Sequence, residues 1–516
     1  MPARLHPGVY VEEIPSPARS IEGVPTSTAV FVGETERGPL EPTKIRSRTE
    51  YTRLFGGYRR HANADAPLLT LPYSLDAFFQ NGGSTAYILR AMTNPGGASR
   101  TFGASNAKVE ASSPGAWGNN VSVVAHAASD DPNNQDLHRF RLTVLYQAPG
   151  ATSKVVVEDW DRLSDDPANE NYAKDVLKRS LYIRWAEDKA VVTPTFDTVP
   201  TKIEDIANAN LNGGTGGDTD VTSFKDILSK LDEVSDASLL VVPAPVNTTI
   251  TDDQRRSITD EALSYAENRR YMDLFCIADM PRLAKVDDPT SKAKDELGKI
   301  NAKTNFGAAY FPWIEVSDPA GVGRDPTIVV PPSGFVAGLY ARTDGRRGVW
   351  KAPAGVDATL LGIRRLEYKL LDAHQDELNP IGLNVLRVVP SAGSVVWGAR
   401  TLQPNSEWRY IPVRRTAMFL RKSIYNGIQW AVFEPNDHDL WASLRLTIGS
   451  FMEQQFRQGA FAGKTAREAF FVKCDAETTP EADQIAGVVN VWVGFAPLRP
   501  AEFVVVKLSQ IVNQKA

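Results

Sequence analysis

The chain has 516 residues, a length that suits about three domains of ordinary size and excludes a single small domain. Apolar residues make up 42% of the chain and charged residues 23%, which favours packed cores and excludes a wholly disordered or fibrous protein. The 57 basic and 62 acidic side chains give a net charge of −5, so the basic excess typical of phosphate-backbone binding is missing. We therefore expect no nucleic acid partner.

Both ends of the chain have the pattern of extended arms. Residues 8–14 form a short β-prone run, and the prolines within 15–25 separate this run from the first domain. When extended, residues 15–25 span on the order of 35 Å, which is enough to reach a neighbouring molecule. At the other end, residues 503–508 are apolar on both alternating faces and need partner strands to cover them.

Strands and helices alternate in two parts of the chain, which predicts a parallel α/β sheet. The alternation depends on strand-like apolar runs and on apolar residues at helical spacing. The predicted order is strand Val30–Gly33, helix 68–83, strand Thr85–Met92, and later strand Ser238–Val242, helix 252–270, strand Met272–Ala278 and strand Gly307–Val316.

The stretch from 101 to about 220 interrupts this alternation with short β-prone runs separated by turn residues, which predicts an inserted β-sandwich. The runs are Val121–Ala125, Phe140–Tyr146, Lys154–Glu158 and Leu181–Trp185. Residues 126–240 hold 21 acidic and 12 basic side chains, a net charge of −9, whereas 400–475 hold 11 basic and 7 acidic, a net charge of +4. The two regions are therefore oppositely charged.

The C-terminal region, 380–500, mixes helices and strands and predicts an α+β domain. Helices are expected at 412–427 and 439–458, and strands at Ile428–Phe433, near 469–474 and near 487–495. The two cysteines, Cys276 and Cys474, each lie in an apolar strand-like run, which indicates buried free thiols.

Three local patterns resemble binding or catalytic sites. In each case the sequence favours a structural role over a chemical one. Gly459–Thr465 has one residue too few between its glycines for a phosphate loop and follows a helix, so a helix-ending turn is favoured. Asn436–Asp439 could hold a divalent ion, but its position before an apolar helix favours an N-terminal cap. Ser333 in Pro-Ser-Gly could serve as a nucleophile, yet nothing in the sequence places a histidine beside it. No metal site or cofactor is expected.

Long collinear strings of residues resemble the tail sheath proteins of contractile phage tails and contractile injection systems. The strings cover both ends and most of the middle of the chain. They are Pro7–Glu13, Phe78–Arg90, Ala111–Asn120, Val330–Asp344, Gly348–Gly355, Leu378–Asn384, Val396–Thr401, Trp408–Arg415, Ile428–Asn436, Leu440–Trp441 and Gly459–Gly463.

The resemblance implies a multidomain α/β and α+β fold with extended terminal strand arms and no protease activity. The implied domains are an N-terminal arm and linker (1–25), the N-terminal part of a core domain (26–100), an inserted β-rich outer domain (101–220), a subtilisin-like α/β sheath domain (221–370), a C-terminal core α+β domain (371–500) and a C-terminal arm (501–516).

The resemblance also implies a mechanical function. Subunits would stack as hexameric rings around an inner tube and contract to drive the tube through a target envelope. The expected partners are other copies of the chain, the inner tube protein, and baseplate and tail terminator or cap proteins, with no direct membrane insertion. We expect assembly in the bacterial cytoplasm and a final place in a virion tail or tail-like particle, which could become extracellular after release.

The implied site residues form two groups. The arms would add strands to the sheets of neighbouring subunits, using the residues Val9, Tyr10, Val11, Ile14, Phe503, Val504, Val505, Val506 and Leu508. A basic surface would face an acidic tube, using the residues Arg445, Arg457, Lys464 and Arg467. Ordinary surface arginines remain the alternative for the second group.

Two other functions remain open at this stage. A hydrolase could use the α/β domain, which requires a serine or aspartate near a histidine and turnover by the monomer. A surface-binding module could act through residues 101–220, which would then bind cells or glycans in isolation.

Overall fold

The computed structural model describes residues 20–58, 69–101, 108–131, 139–149, 151–186, 210–217, 220–246, 250–283, 286–321 and 323–503. None of the helices within these ranges combines the length and apolar character needed to cross a membrane.

Strands and helices are numbered here in chain order within the described ranges. The strands are β1 Ala29–Gly33, β2 Thr43–Ile45, β3 Ala86–Arg90, β4 Thr93–Gly96, β5 Ser99–Thr101, β6 Lys108–Ala111, β7 Val121–Ala127, β8 Arg139–Tyr146, β9 Val155–Ser164, β10 Ile183–Trp185, β11 Thr215–Gly217, β12 Leu239–Val241, β13 Phe275–Asp279, β14 Gly307–Phe311, β15 Ile314–Ser317, β16 Thr327–Val330, β17 Arg365–Leu366, β18 Leu383–Val389, β19 Gly393–Val396, β20 Phe470–Lys473 and β21 Trp492–Phe495. The helices are α1 Arg48–Phe55, α2 Thr70–Gln80, α3 Ala173–Val176, α4 Val221–Ser229, α5 Asp252–Asn268, α6 Pro289–Gly298, α7 Ser333–Arg347, α8 Asp372–Leu378, α9 Ile411–Gly427, α10 His438–Arg457, α11 Ala466–Ala469 and α12 Glu481–Ile485.

The chain divides into two compact units. The larger unit is Pro25–Arg414, and the smaller unit comprises Met1–Val24 and Arg415–Ala516. Chain segments distant in sequence thus form the smaller unit, and its described parts are residues 20–24 and 415–503.

The larger unit is built on an eight-stranded sheet in the order β19-β18-β14-β13-β12-β1-β3-β2. The strands from β18 to β3 pair in parallel, and β2 and β19 are antiparallel at the two edges. The predicted parallel α/β sheet is confirmed, because helix-length crossovers connect most of its strands.

Helices cover both faces of this sheet, as the all-apolar central strands require. On one face, Phe31 contacts Phe78 of α2 and Phe275 contacts Tyr340 of α7, with ring centroids 5.3 and 6.3 Å apart. On the other face, Gly307 of β14 lies directly beneath Leu263 of α5. β1, β13 and β14 are therefore buried along their whole length.

The inserted region has two three-stranded sheets, ordered β7-β8-β9 and β10-β6-β5. Both contribute to one buried apolar cluster, in which Phe140 and Trp185 stack with ring centroids 5.4 Å apart. Trp117 is buried in the same cluster. The predicted strands of this region are all present, and the third continues beyond Glu158 to Ser164.

Strands from three of the ranges named above pair in one sheet. Those within 26–100, 221–370 and 371–500 all lie in the eight-stranded sheet. In particular, β18 pairs in parallel with β14, which places residues 383–396 in the larger unit. Local sequence patterns do not reveal such long-range pairing.

Two strand predictions were wrong. Residues 428–433 contain a 3₁₀ turn at Gln429–Ala431, which brings Ile428, Trp430 and Ala431 against the cluster of Leu440 and Trp441. The run predicted at Gly307–Val316 is two strands, β14 and β15, which belong to different sheets. The break falls at Pro312, which has no N–H group to donate to a ladder.

In the smaller unit, α10 contacts α9 through Phe451 and Phe419 and packs beside the two-stranded sheet of β20 and β21. The N-terminal segment is fixed to α9 because Ile21 packs on Gly427 and the Val24 amide donates to Ser423 Oγ at 3.1 Å. The predicted helices at 412–427 and 439–458 are confirmed, whereas the strand predicted near 487–495 begins only at Trp492.

Candidate interaction surface

Large apolar side chains are exposed mainly on the smaller unit. Of the 17 large hydrophobic residues exposed in the described part of the chain, ten lie between 425 and 503. Phe433 is fully exposed on a backbone with φ of +70°, and Ile485 is 81% exposed. Concentrated exposed apolar surface marks an interaction site more often than a free surface.

The two-stranded sheet of β20 and β21 is the centre of this exposed surface. Phe471 pairs with Gly494 and Lys473 with Trp492, so these four residues share one face. Phe471 is 57% and Trp492 is 56% exposed, and the Phe471 ring lies over the glycine, where a Cβ would come within 2.1 Å of it. The sheet therefore presents two aromatic rings to its surroundings.

The opposite face of this sheet is only partly covered. Phe470 and Phe495 pair across the strands and contact Phe461, with ring centroids 6.2 and 5.6 Å from it. Val472 and Val493 share this face and are half-buried. Among the described residues the sheet has only two strands, and two strands alone are marginally stable. Strands added at its edges would pair the backbone N–H and C=O groups there and enlarge the sheet.

Helix α10 holds the sheet in place from its inner side. Leu440, Trp441 and Leu444 form a buried cluster with Cys474, the residue that follows β20. Asp437 caps the helix by accepting a hydrogen bond from the Leu440 amide at 2.9 Å, which confirms the predicted cap.

Both cysteines are free and buried, as predicted, and burial raises the pKa of each thiol.

The four basic residues predicted to face the tube all lie on the smaller unit, but they differ in exposure and in the bonds they already make. The Arg445 guanidinium donates to the Cys474 carbonyl and is partly buried. Arg457 is mostly exposed and pairs with Glu453 at 3.0 Å, one turn earlier on α10. Lys464 and Arg467 are exposed, and no carboxylate of the described chain lies within ion-pair distance of either. Lys464 and Arg467 can therefore meet a partner without losing an ion pair, whereas Arg457 would exchange its exposed pair with Glu453 for a new one.

The predicted strand-exchange residues are mostly beyond the described ranges. Val9, Tyr10, Val11, Ile14, Val504, Val505, Val506 and Leu508 lie outside the described residues. Phe503 is described and is 77% exposed. It follows β21 by eight residues, so the C-terminal arm begins close in sequence to the two-stranded sheet.

The serine considered as a nucleophile is enclosed in the larger unit. Ser333 is fully buried at the first turn of α7, and its hydroxyl donates to Asp279 Oδ2 at 2.6 Å. Asp279 also accepts from the Ser333 and Ala244 amides, at 2.8 and 3.2 Å. Burial raises the pKa of Asp279 to about 7. Within the described ranges, histidines 126, 374 and 438 exchange hydrogen bonds with neither Ser333 nor Asp279.

The other patterns with possible chemistry have structural roles. Gly459 has φ of +80° directly after α10, which fits the predicted helix-ending turn. Nowhere in the described ranges do three or more His, Cys, Asp or Glu side chains gather as metal ligands would.

Sequence reasoning missed the exposed face of the two-stranded sheet. Phe471 and Trp492 were placed in predicted strands but given no role. A signal was present, because Phe-Phe-Val-Lys and Trp-Val-Gly-Phe have few polar residues on either alternating face, as expected for strands that gain cover from another chain.

The family models and the relatives that match this chain all indicate one family. Residues 220–402 match the phage tail sheath protein central domain, and residues 403–511 match the phage tail sheath C-terminal domain. The tail sheath protein of Vibrio phage KVP40 is 34% identical over 125 residues, 24% of this chain and 19% of that protein. The tail sheath protein of Enterobacteria phage T4 is 23% identical over 299 residues, 54% of this chain and 44% of that protein. The chain thus spans less than half the length of either relative.

A solved structure extends the likeness over the full chain. The helical sheath of the anti-feeding prophage in its contracted state aligns with 98% of this chain and 100% of its own, at 25% identity and a TM-score of 0.59. Both compact units fall within this alignment.

Proposed function

Because the chain belongs to the phage tail sheath family, we propose that it is the structural subunit of a contractile sheath. It polymerises as stacked hexameric rings around an inner tube and contracts to drive that tube through a target envelope. The observation that carries the proposal is the sheet of β20 and β21 in the smaller unit, which has exposed aromatic rings and, within the described ranges, no third strand.

The arms and this sheet are complementary in chemistry. Residues 8–14 are β-prone, residues 503–508 are apolar on both alternating faces, and the sheet offers backbone donors and acceptors at its edges. Each added main-chain hydrogen bond contributes about 1 kcal/mol net, so a four-residue strand contributes a few kcal/mol before side chains are counted. Alternate side chains such as Val9 and Val11 then cover an apolar face. Strand exchange links copies by backbone pairing while their bodies remain free to move.

The remaining assignments follow the family. The eight-stranded sheet unit is the subtilisin-like sheath domain, without protease function, and its enclosed Ser333–Asp279 pair supports a purely structural role. The two three-stranded sheets form the inserted β-sandwich on the outside of the particle. Baseplate and terminator proteins contact the two ends of the sheath. The protein assembles in the bacterial cytoplasm and becomes part of a virion tail or tail-like particle.

The tube-facing surface consists of Arg457, Lys464 and Arg467. Exposed ion pairs contribute about 0–1 kcal/mol each, which suits a contact that holds as a set and releases on contraction. Arg445 is a poor member of this set because its guanidinium is bonded to the Cys474 carbonyl.

Deleting residues 1–20 tests strand exchange. We expect a folded, soluble protein that forms no cylinders in electron micrographs, because Ile21 and Val24 still fix the segment to α9. The double variant Val9→Asp with Val11→Asp should have the same effect, since alternate residues of an added strand would share one face. Glu12→Gln is the control, because position 12 alternates with positions 9 and 11 in a strand. Cylinders formed by the deletion variant at wild-type yield would reject the linking role.

Charge reversal tests the tube-facing surface. The triple variant Arg457→Glu, Lys464→Glu and Arg467→Glu, co-expressed with the inner tube protein, should give bare tubes or empty sheaths. The matched control reverses three exposed cations of the larger unit, Lys178, Arg179 and Arg324. Normally sheathed, extended tubes in the triple variant would exclude this surface.

A further inference from the structure

A groove on the larger unit is not used by the proposed arms or by the tube-facing surface. It has a volume of about 610 Å³ and lies between the end of α2, the last turns of α7 and residues 357–361. The groove exists because α2 ends at Gln80 while its packing partner α7 continues to Arg347.

The packing of the two helices explains the shape of the groove. Gly334 and Gly338 let α7 approach α2 closely, and a Cβ on them would lie 2.2 and 2.5 Å from α2 carbonyl oxygens. Gly345 lies two turns further along α7, beyond the end of α2, and a Cβ there would meet nothing within 4 Å. The buried Asn81 fixes the wall of the groove, because its side chain exchanges hydrogen bonds with the Leu361 backbone at 2.8 and 3.1 Å.

The lining of the groove combines positive charge with apolar surface. Arg342 and Arg346 are one turn apart on α7, and no carboxylate of the described chain forms an ion pair with either. Arg342 also donates to the Thr359 carbonyl, which fixes its position. Phe79 and Leu361 contribute apolar surface, and Asp357 supplies one negative charge to the lining. Two neighbouring unneutralised arginines favour a ligand that brings carboxylates.

The chain carries a segment of matching chemistry in its inserted region. The loop from Asp166 to Glu170 is exposed between β9 and α3, and Pro167 and Ala168 separate its carboxylates. No cation of the described chain forms an ion pair with Asp166 or Glu170. The Ala168 amide donates to Asp166 Oδ1 at 2.9 Å, so the loop is ordered before any partner binds. It does not line the groove of its own copy.

We infer that the groove of one copy binds the Asp166–Glu170 loop of a second copy. Arg342 and Arg346 pair with the two carboxylates, and Pro167 and Ala168 lie against Phe79 and Leu361. The two surfaces differ, so the contact is heterologous and extends into rings or helices instead of closing a two-fold dimer. The inference rests on the proposed self-assembly, to which it adds a contact that does not involve the arms.

Charge reversal and charge exchange test this contact. Arg346→Glu should raise the protein concentration needed for half-maximal cylinder formation about tenfold, measured by pelleting and electron microscopy, because an attraction becomes a repulsion. Glu170→Arg should do the same. The double variant should recover most of the wild-type yield, since the pair is restored with opposite polarity. Arg347→Glu is the matched control, because Arg347 is exposed on the same helix but does not line the groove.

The outcomes distinguish this contact from the general proposal. Wild-type cylinders together with an Arg346→Glu variant that assembles like Arg347→Glu would overturn the groove contact alone. Single variants that are impaired without recovery in the double variant would also overturn it, and would point to another acidic partner in the groove. A wild-type protein that forms no cylinders would reject both the sheath function and this inference.

Discussion

The close contact between α2 and α7 predicts opposite effects for two identical substitutions in one helix. Gly334→Ala places a Cβ 2.2 Å from the Ser74 carbonyl oxygen, whereas ordinary contact requires more than 3 Å. The helices must therefore separate by about 1 Å, which also loosens the contact between Phe31 and Phe78. Overpacking of this kind costs about 1–3 kcal/mol, and the obstacle is backbone that cannot rotate away.

Gly345→Ala is the matched control, because the same methyl group is added to α7 where nothing lies within 4 Å. Here only helix propensity acts, and alanine should stabilise the protein by about 1 kcal/mol. The same gain is present in Gly334→Ala and offsets part of the overpacking cost, so a net loss of about 1 kcal/mol is expected there.

Urea denaturation followed by tryptophan fluorescence measures both changes as shifts in the midpoint at constant slope. The expected result is a lower midpoint for Gly334→Ala and a higher one for Gly345→Ala. Equal midpoints for the two variants, or a stabilised Gly334→Ala, would refute the packing described for this helix pair.

Two further predictions concern buried titratable groups. The folded pKa of Asp279, about 7, exceeds the unfolded value, so the folded protein binds this proton more tightly and gains stability as pH falls. Between pH 8 and pH 5 the free energy of unfolding should rise by about 3 kcal/mol from this group. The rise should disappear in Asp279→Asn. An unchanged pH dependence in that variant would contradict the raised pKa of Asp279. Burial raises the pKa of Cys276 and Cys474, so neither thiol should react with a thiol reagent until denaturant is added, and rapid labelling of the native protein would show that one of them is accessible.

Local patterns predicted the elements that depend on burial. β1 and β13 were identifiable because they are apolar on both faces, as strands inside a parallel sheet must be. Helix α10 was identifiable because its apolar residues recur at helical spacing after an Asp cap. These signals arise within a few residues, so no knowledge of the tertiary structure is needed to read them.

Features that depend on distant pairing were not predictable. The pairing of β14 with β18 joins residues more than 70 positions apart. The apolar run at 428–433 is too short for its pattern to distinguish a strand from a turn. Its packing on Leu440 and Trp441, which the sequence does not show, decides between the two. The groove beside α7 exists because α2 ends before α7 does. The relative positions of two helix ends cannot be predicted from either segment of sequence alone.

A helical cryo-EM reconstruction of cylinders formed by the full-length chain tests strand exchange most directly. It should show the sheet of β20 and β21 extended by residues 8–14 and 503–508 contributed by neighbouring copies. Terminal segments that pair within their own copy, or edges of this sheet that stay unpaired in the assembled cylinder, would contradict the central claim.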